Sequence, residues 1–285
     1  MKNKKTEKLT IYKNRLPLIS WLILPLFVLW LSTNYLIGLT KPTEWQNVSS
    51  KTTVIHTYED NPQIAPLKWN HTGLVTLWFD DAWYSQYSIA FPVMERNNFK
   101  GALAVPTNMV NGDSYMTWPQ IERMQYKGWE IDSHSQSHDC NVAKFDSSRI
   151  KSEIEGSLNI LRQHNIISQN YVSPCGEVNN EMLVEIKKAY LSHRSTDDGI
   201  NEIPVKNPYH LNIYAVEKTT TIREVREWIK ETDEQKGWLI IVFHQIGGGN
   251  DQYEISFEHF LQIIQEVKTS KLPVVLPTQA LNISI

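Results

Sequence analysis

Only two of the 285 residues are cysteine, which excludes a disulfide-stapled scaffold and a cysteine-rich zinc module. The core must therefore come from burial, which a chain of this length can supply. No internal repeat is visible. Basic charge is also scarce: 28 Lys and Arg face 31 Asp and Glu, a formal net charge of −3. The first fifteen residues carry six of those cations against Glu7, a local +5, so removing them from the −3 leaves −8 on the remainder. That balance shows no nucleic-acid footprint. Long apolar runs are limited to one, which argues against a polytopic membrane protein. A hydrophobic share of 41% with 21% charged residues is ordinary globular usage and argues against disorder or a collagen-like chain. What is abundant is aromatic: ten Trp and twelve Tyr suit sugar contact, and a large barrel core would use them too.

The single apolar run spans Leu16 to Gly38, twenty-three residues without a charge. At 1.5 Å rise per residue this crosses a hydrocarbon core of roughly 30 Å. A cleaved signal peptide would show an apolar stretch of about 7–15 residues and a small-x-small site, and neither is clear. The positive tail before it, with only Lys41 and Glu44 just after, orients an uncleaved anchor with its N-terminus in the cytoplasm. The expected organisation is a basic cytoplasmic tail (1–15), a transmembrane anchor (16–38), a Pro/Thr/Ser-containing spacer (39–69) and an extracytoplasmic domain (70–285).

From Gly73 onward, short β-branched or apolar runs alternate with amphipathic stretches, the pattern of βα units around a parallel sheet. Strands are expected at Leu74–Phe79, Gly101–Val105, Trp129–Ser133, Tyr171–Ser173, Tyr190–His193, Asn212–Val216, Trp238–Phe243 and Pro273–Leu276. Two apolar stripes at helical spacing, Ile150/Ile154/Leu158/Leu161 and Phe257/Phe260/Leu261/Ile264/Val267, are expected to face the core. Thr221 with Glu224 forms a capping box, and Thr117 ahead of Pro119, with Gly128 closing, bounds another helix. Seven or eight such units in about 210 residues predict a distorted (β/α)7–8 barrel, in which chemistry sits where strands end.

The residues at those ends are polar and specific. The first strand runs into Asp80 and Asp81, whose side chains diverge, so that one can bind a metal while the other faces substrate as a base. Alone, such a pair is more often a turn or a helix cap. The third strand leads into His134 and His138, an i,i+4 spacing that places both imidazoles on one face of a helical turn. With a carboxylate they make the open three-ligand set of a catalytic zinc site, whereas in isolation they read as surface histidines. The strand Trp238–Phe243 leads into His244 and then Gly247–Gly249, a candidate acid under a mobile rim. Pro174 and Gly176 after the fourth strand force a turn able to aim backbone N–H groups at an oxyanion, or simply form a βα loop.

In this order the motifs resemble the NodB-homology polysaccharide deacetylases, carbohydrate esterase family 4, over about residues 70–281. Phe79-Asp80-Asp81 is similar to the family's first motif, which implies Asp80 as catalytic base and Asp81 as metal ligand. His134-Ser135-Gln136-Ser137-His138 resembles the second and implies two more metal ligands. Ser173-Pro174-Cys175-Gly176 resembles the groove loop, implying an oxyanion N–H from Cys175 after Pro174, and Val242-Phe243-His244 resembles the last motif, implying His244 as general acid. Three departures stand out. Val172-Ser173 replace the Arg many members carry before the Pro, and Arg194 is the candidate to supply that cation, with a plain surface salt bridge as its alternative. Cys175 replaces an aromatic, and Ala82 replaces a Gly.

The resemblance implies metal-dependent hydrolysis of N-acetyl groups on a GlcNAc-containing wall polymer or exopolysaccharide. Zinc is the ion expected, with cobalt, nickel or iron able to fill the same donors. The competing readings are an O-acetyl polysaccharide esterase, a non-catalytic glycan-binding module, and a hydrolase of small cyclic amides. Cys140 and Cys175 flank two of the motifs and are expected as free buried thiols, with a bond between them as the alternative.

Overall fold

The computed structural model describes residues 67–247 and 249–283. The basic tail, the apolar segment 16–38 and nearly all of the spacer lie outside the described residues, within which no helix is long and apolar enough to cross a membrane.

Seven parallel strands follow one another around a closed barrel: β1 (Leu74–Phe79), β2 (Ala102–Val105), β3 (Glu130–Ser133), β4 (Asn170–Val172), β5 (Ser192–Asp198), β6 (Leu211–Ala215) and β7 (Trp238–Phe243). Closure runs along the whole of β1, from Leu74 opposite Trp238 to Phe79 opposite Phe243. The connections carry α1 (Phe91–Arg96), α2 (Trp118–Tyr126), α3 (Ser147–Lys151), α4 (Ser157–Gln163), α5 (Asn180–Ala189) and α6 (Ile222–Gln235), and α7 (Phe257–Ser270) and α8 (Pro277–Leu281) follow β7. A π-helical turn, Ser152–Gly156, joins α3 to α4.

The expected eighth strand, Pro273–Leu276, is not one. It makes a single bridge, Val274 beside Val75, with Val75 N donating to Pro273 O and Val275 N to Val75 O. The reason lies in the register: β2 reaches β1 only at Trp78 and Phe79, so the lower half of β1 has a free edge. Pro273 and Pro277 bound the segment that fills it and stop it extending.

Strand parity sorts the core into two faces. Leu74, Trp78, Ala102, Ala104, Trp238, Ile240 and Val242 pack in one apolar set, with Leu67 and Trp69 against it. Their neighbours Val75, Leu77, Phe79, Leu103, Val105, Leu239, Ile241 and Phe243 pack against the surrounding helices. The first set fills the barrel, and continuing its parity past the strand ends carries Asp80, His134 and His244 to the mouth. Both capping boxes form, Thr117 with Gln120 and Thr221 with Glu224. The stripe Ile150, Ile154, Leu158 and Leu161 is buried as expected. The second stripe needs correcting: Phe257 and Leu261 are 39% and 38% exposed, and Ile263 joins Phe260, Ile264 and Val267 in the core. The apolar face of α7 is thus rotated toward Ile263, and Phe257 stands in its first turn, just past the Ser256 cap.

Candidate active site

At the carboxyl end of β1 the chain leaves the barrel through two residues in the left-handed region, Asp81 (φ 77°) and Ala82 (φ 56°). The kink separates the adjacent carboxylates. Asp80 stays with the barrel axis, while Asp81 turns toward the β3 loop. There its Oδ1 lies 3.4 Å from His134 Nε2 and 3.0 Å from His138 Nε2, with Trp83 Nε1 donating to Oδ2 at 3.0 Å. The i,i+4 histidines meet, but not on a helical face. The loop after β3 is irregular, and left-handed backbone at Ser135 (φ 62°) and His138 (φ 56°) folds the two rings to 4.8 Å between centroids.

The donors fit a divalent ion. One atom each from Asp81, His134 and His138 lie within 4.8 Å of one another, and Asp81 Oδ1 is buried without a hydrogen-bond partner among the described residues. Such an orphaned carboxylate oxygen facing two imidazole nitrogens is what a cation would satisfy. His134 Nδ1 donates to Val172 O at 2.8 Å, which leaves Nε2 as the ligand atom, the usual outer-shell arrangement of a ligating histidine. Burial raises the Asp81 carboxyl, but the imidazoles of His134 and His138 outweigh it and hold it well below the usual carboxylate range.

Asp80 is 4% exposed and its two oxygens differ. Oδ2 accepts from Arg194 Nη2 and lies 3.9 Å from His244 Nε2, whereas Oδ1 has no hydrogen-bond partner among the described residues. Arg194, in β5, is no surface residue: it is 1% exposed and its guanidinium lies over the Trp78 ring at 5.2 Å. Gln86, fully buried, bridges the ends of β1 and β7, its Nε2 donating to Asp80 O at 2.5 Å and His244 O at 3.0 Å. His244 packs against Tyr253 at 4.9 Å, and its Nδ1 has no partner among the described residues.

On the β4 side, Pro174–Gly176 forms a short 3-10 turn with Cys175 in the left-handed region (φ 56°). Contrary to expectation, Cys175 is not a free thiol: it is bonded to Cys140, with Cα atoms 5.7 Å apart. The expectation failed because the two positions lie 35 residues apart in sequence, while the barrel makes the β3 and β4 loops neighbours. Below that turn, Ser173 Oγ donates to His193 Nε2 at 2.8 Å, and His193 Nδ1 donates to Tyr209 O at 3.1 Å. Burial pushes the His193 imidazole down to about 4, which keeps it neutral.

Asp80, Asp81, Trp83, His134, His138, Cys175, Arg194, His244 and Tyr253 line one groove of about 790 Å³ at the barrel mouth, and Pro174 does not. Its far arm carries the stacked pair Tyr214 and Trp228, 4.5 Å apart. Gln86 and His193 escaped sequence reasoning because each acts across a gap in sequence, Gln86 on His244 O and His193 on Ser173 Oγ, that no local pattern spans.

The fold and site together define a barrel with a carboxylate–imidazole cluster at the carboxyl ends of its strands. The family model for polysaccharide deacetylases matches residues 69–192, in agreement with the resemblance carried by the motifs. Solved structures agree in fold. The chain is 22% identical to a carbohydrate esterase family 4 domain of a multidomain xylanase from the hindgut metagenome of Trinervitermes trinervoides, over 73% of this chain and 89% of that one, with a TM-score of 0.54. It is 17% identical to a deacetylase solved with substrate (73% and 90% covered, TM-score 0.53). It is 14% identical to a mutant of a family 4 pseudoenzyme with restored activity (79% and 73% covered, TM-score 0.53). No curated protein matches the sequence.

Proposed function

We propose that the chain is a metal-dependent carbohydrate deacetylase that removes N-acetyl groups from a GlcNAc-containing cell-wall polymer or exopolysaccharide. The observation that carries this reading is the division of labour between adjacent carboxylates: Asp81 faces two imidazoles, while Asp80 faces the groove with one oxygen free.

Asp81, His134 and His138 would hold the ion, zinc first and cobalt, nickel or iron as alternatives, and it would supply acidity to a water and polarise the acetyl carbonyl. Asp80 Oδ1 would take a proton from water, while Arg194 on Oδ2 fixes the orientation of the carboxylate. The Pro174–Cys175 turn offers backbone N–H to the developing oxyanion. His244 then delivers a proton to the departing nitrogen, a step an amide requires more than an ester does, because an amine anion leaves poorly. The uncharged run 16–38 behind a tail of +5 supports a single-pass anchor that leaves this domain outside the membrane.

The test is acetate release by the full-length chain in detergent, with zinc or a chelator, on N-acetylglucosamine oligomers and on acetylated xylan. Metal-dependent release from the oligomers is expected. Release from xylan alone would move the activity to the O-acetyl esterase, and sugar binding without release from either substrate would replace catalysis with a binding role.

A further inference from the structure

The loop that carries both imidazoles cannot hold its own shape. In five residues, His134–His138, it contains two left-handed non-glycine positions, a conformation that costs of order 1 kcal/mol or more apiece and persists only where neighbours enforce it. Its backbone hydrogen bonds show which neighbours do. Ser135 O and Gln136 O accept from Thr107 N and Asn108 N, and Ser135 Oγ accepts from His138 N at 3.0 Å. His134 N donates to Val105 O, and two further backbone donors, Gln136 N and Ser137 N, both point at one atom, Glu153 Oε2, at 2.9 Å each. Glu153 Oε1 accepts from Ser137 Oγ at 2.7 Å and forms an ion pair with Arg149 Nη2 at 2.7 Å, and Arg149 Nη2 donates to Ser137 Oγ at 2.8 Å.

Glu153 is 2% exposed although it lies on an amphipathic helix whose apolar stripe includes its neighbour Ile154. Glu153 stands three residues past the buried Ile150 and so on the same inward face, inside the π-helical turn Ser152–Gly156. The same turn receives the loop's other side chain: Gln136 Oε1 accepts from Ser152 Oγ at 2.7 Å, and a Cβ at Gly156 would stand 2.7 Å from Gln136 Nε2. Carboxylate, hydroxyl and absent side chain together form a socket for Gln136 and Ser137, the residues between the two imidazoles.

We propose that Glu153 is the positioning residue of the metal end, its carboxylate holding the β3 loop in the one conformation that presents His134 and His138 to a single ion, and so setting metal affinity. The inference rests on the reading of Asp81, His134 and His138 as metal ligands. A carboxylate is needed because three hydrogen-bond donors and one guanidinium converge on it. In Glu153→Gln the amide would turn N–H toward donors on one side, leaving part of the loop unanchored.

The measurement is zinc affinity of the full-length protein by competition with a chromophoric chelator, well below the unfolding temperature, for the protein, Glu153→Gln, Gly156→Ala and the control Glu155→Gln. Glu153→Gln and Gly156→Ala are expected to weaken zinc binding by roughly 10- to 100-fold, the usual consequence of losing a group that orients a ligating histidine. Glu155→Gln is expected to bind as the unaltered protein does. A merely structural role would lower the unfolding midpoint and leave affinity unchanged, and that result in both variants would overturn the proposal alone. No zinc binding by the unaltered protein would overturn the metal reading and this proposal with it.

Discussion

The two ends of the groove are built differently. At the metal end the β3 loop is tied to the β2 loop by backbone bonds, to the π-helical turn by Glu153, and to the β4 loop by the Cys140–Cys175 bond. At the acid end His244 emerges from β7 into a stretch with glycines at 247 and 249, steadied by Gln86 through its carbonyl and by the Tyr253 ring, with Nδ1 unpartnered. Under the proposed function the contrast fits the demands on each. Ligands to one ion must hold fixed mutual distances, whereas a proton donor must follow a leaving group and let a polymer in and out.

Several substitutions sharpen or break that contrast. The largest stability effect is expected from Cys140→Ser with Cys175→Ser. Closing a loop of 35 residues restricts the unfolded chain by about 3–4 kcal/mol. Chemical denaturation should show that loss, and a change under 1 kcal/mol would mean the bond contributes little to holding the two loops. Next comes His193, whose imidazole burial keeps neutral beneath the β4 turn. Above pH 6.5 it is neutral folded and unfolded alike. As pH falls from 6.5 toward 4 only the unfolded chain takes the proton, so stability is lost over that window by up to about 3 kcal/mol. The stability advantage of the protein over His193→Gln should therefore shrink between pH 7 and pH 4.5, and an advantage that stays constant would contradict the buried neutral assignment. The smallest effect concerns backbone strain at Ala82, buried at φ 56°. Ala82→Gly should stabilise the fold by about 0.5–1 kcal/mol in thermal unfolding, and destabilisation would show that the Ala82 methyl packs more favourably than its backbone is strained.

Much of this was legible in the sequence, and the failures have physical reasons. The strands could be read because each is an apolar run that ends abruptly in polar residues, as Leu74–Phe79 does at Asp80 and Trp238–Phe243 at His244. The eighth strand was over-read because Pro273–Leu276 has strand composition but only half an edge to pair with. Arg194 could be nominated from a missing cation, yet its burial against Trp78 follows from barrel parity rather than from its neighbours in sequence. Glu153 was invisible because its partners Gln136 and Ser137 lie 17 and 16 residues back in sequence, a separation no helical pattern spans. The cysteine pairing was missed because two residues far apart in sequence meet only after the barrel closes.

The central claim is that Asp81 belongs to the ion and Asp80 to the chemistry. Bound zinc and acetate release, measured side by side for the protein, Asp80→Asn and Asp81→Asn, test it most directly. The account predicts that Asp80→Asn keeps about one zinc per chain and loses roughly 10²–10⁴ in rate, while Asp81→Asn loses the zinc itself. An Asp80→Asn protein that releases acetate at the normal rate, or an Asp81→Asn protein that retains zinc at full affinity, would contradict it.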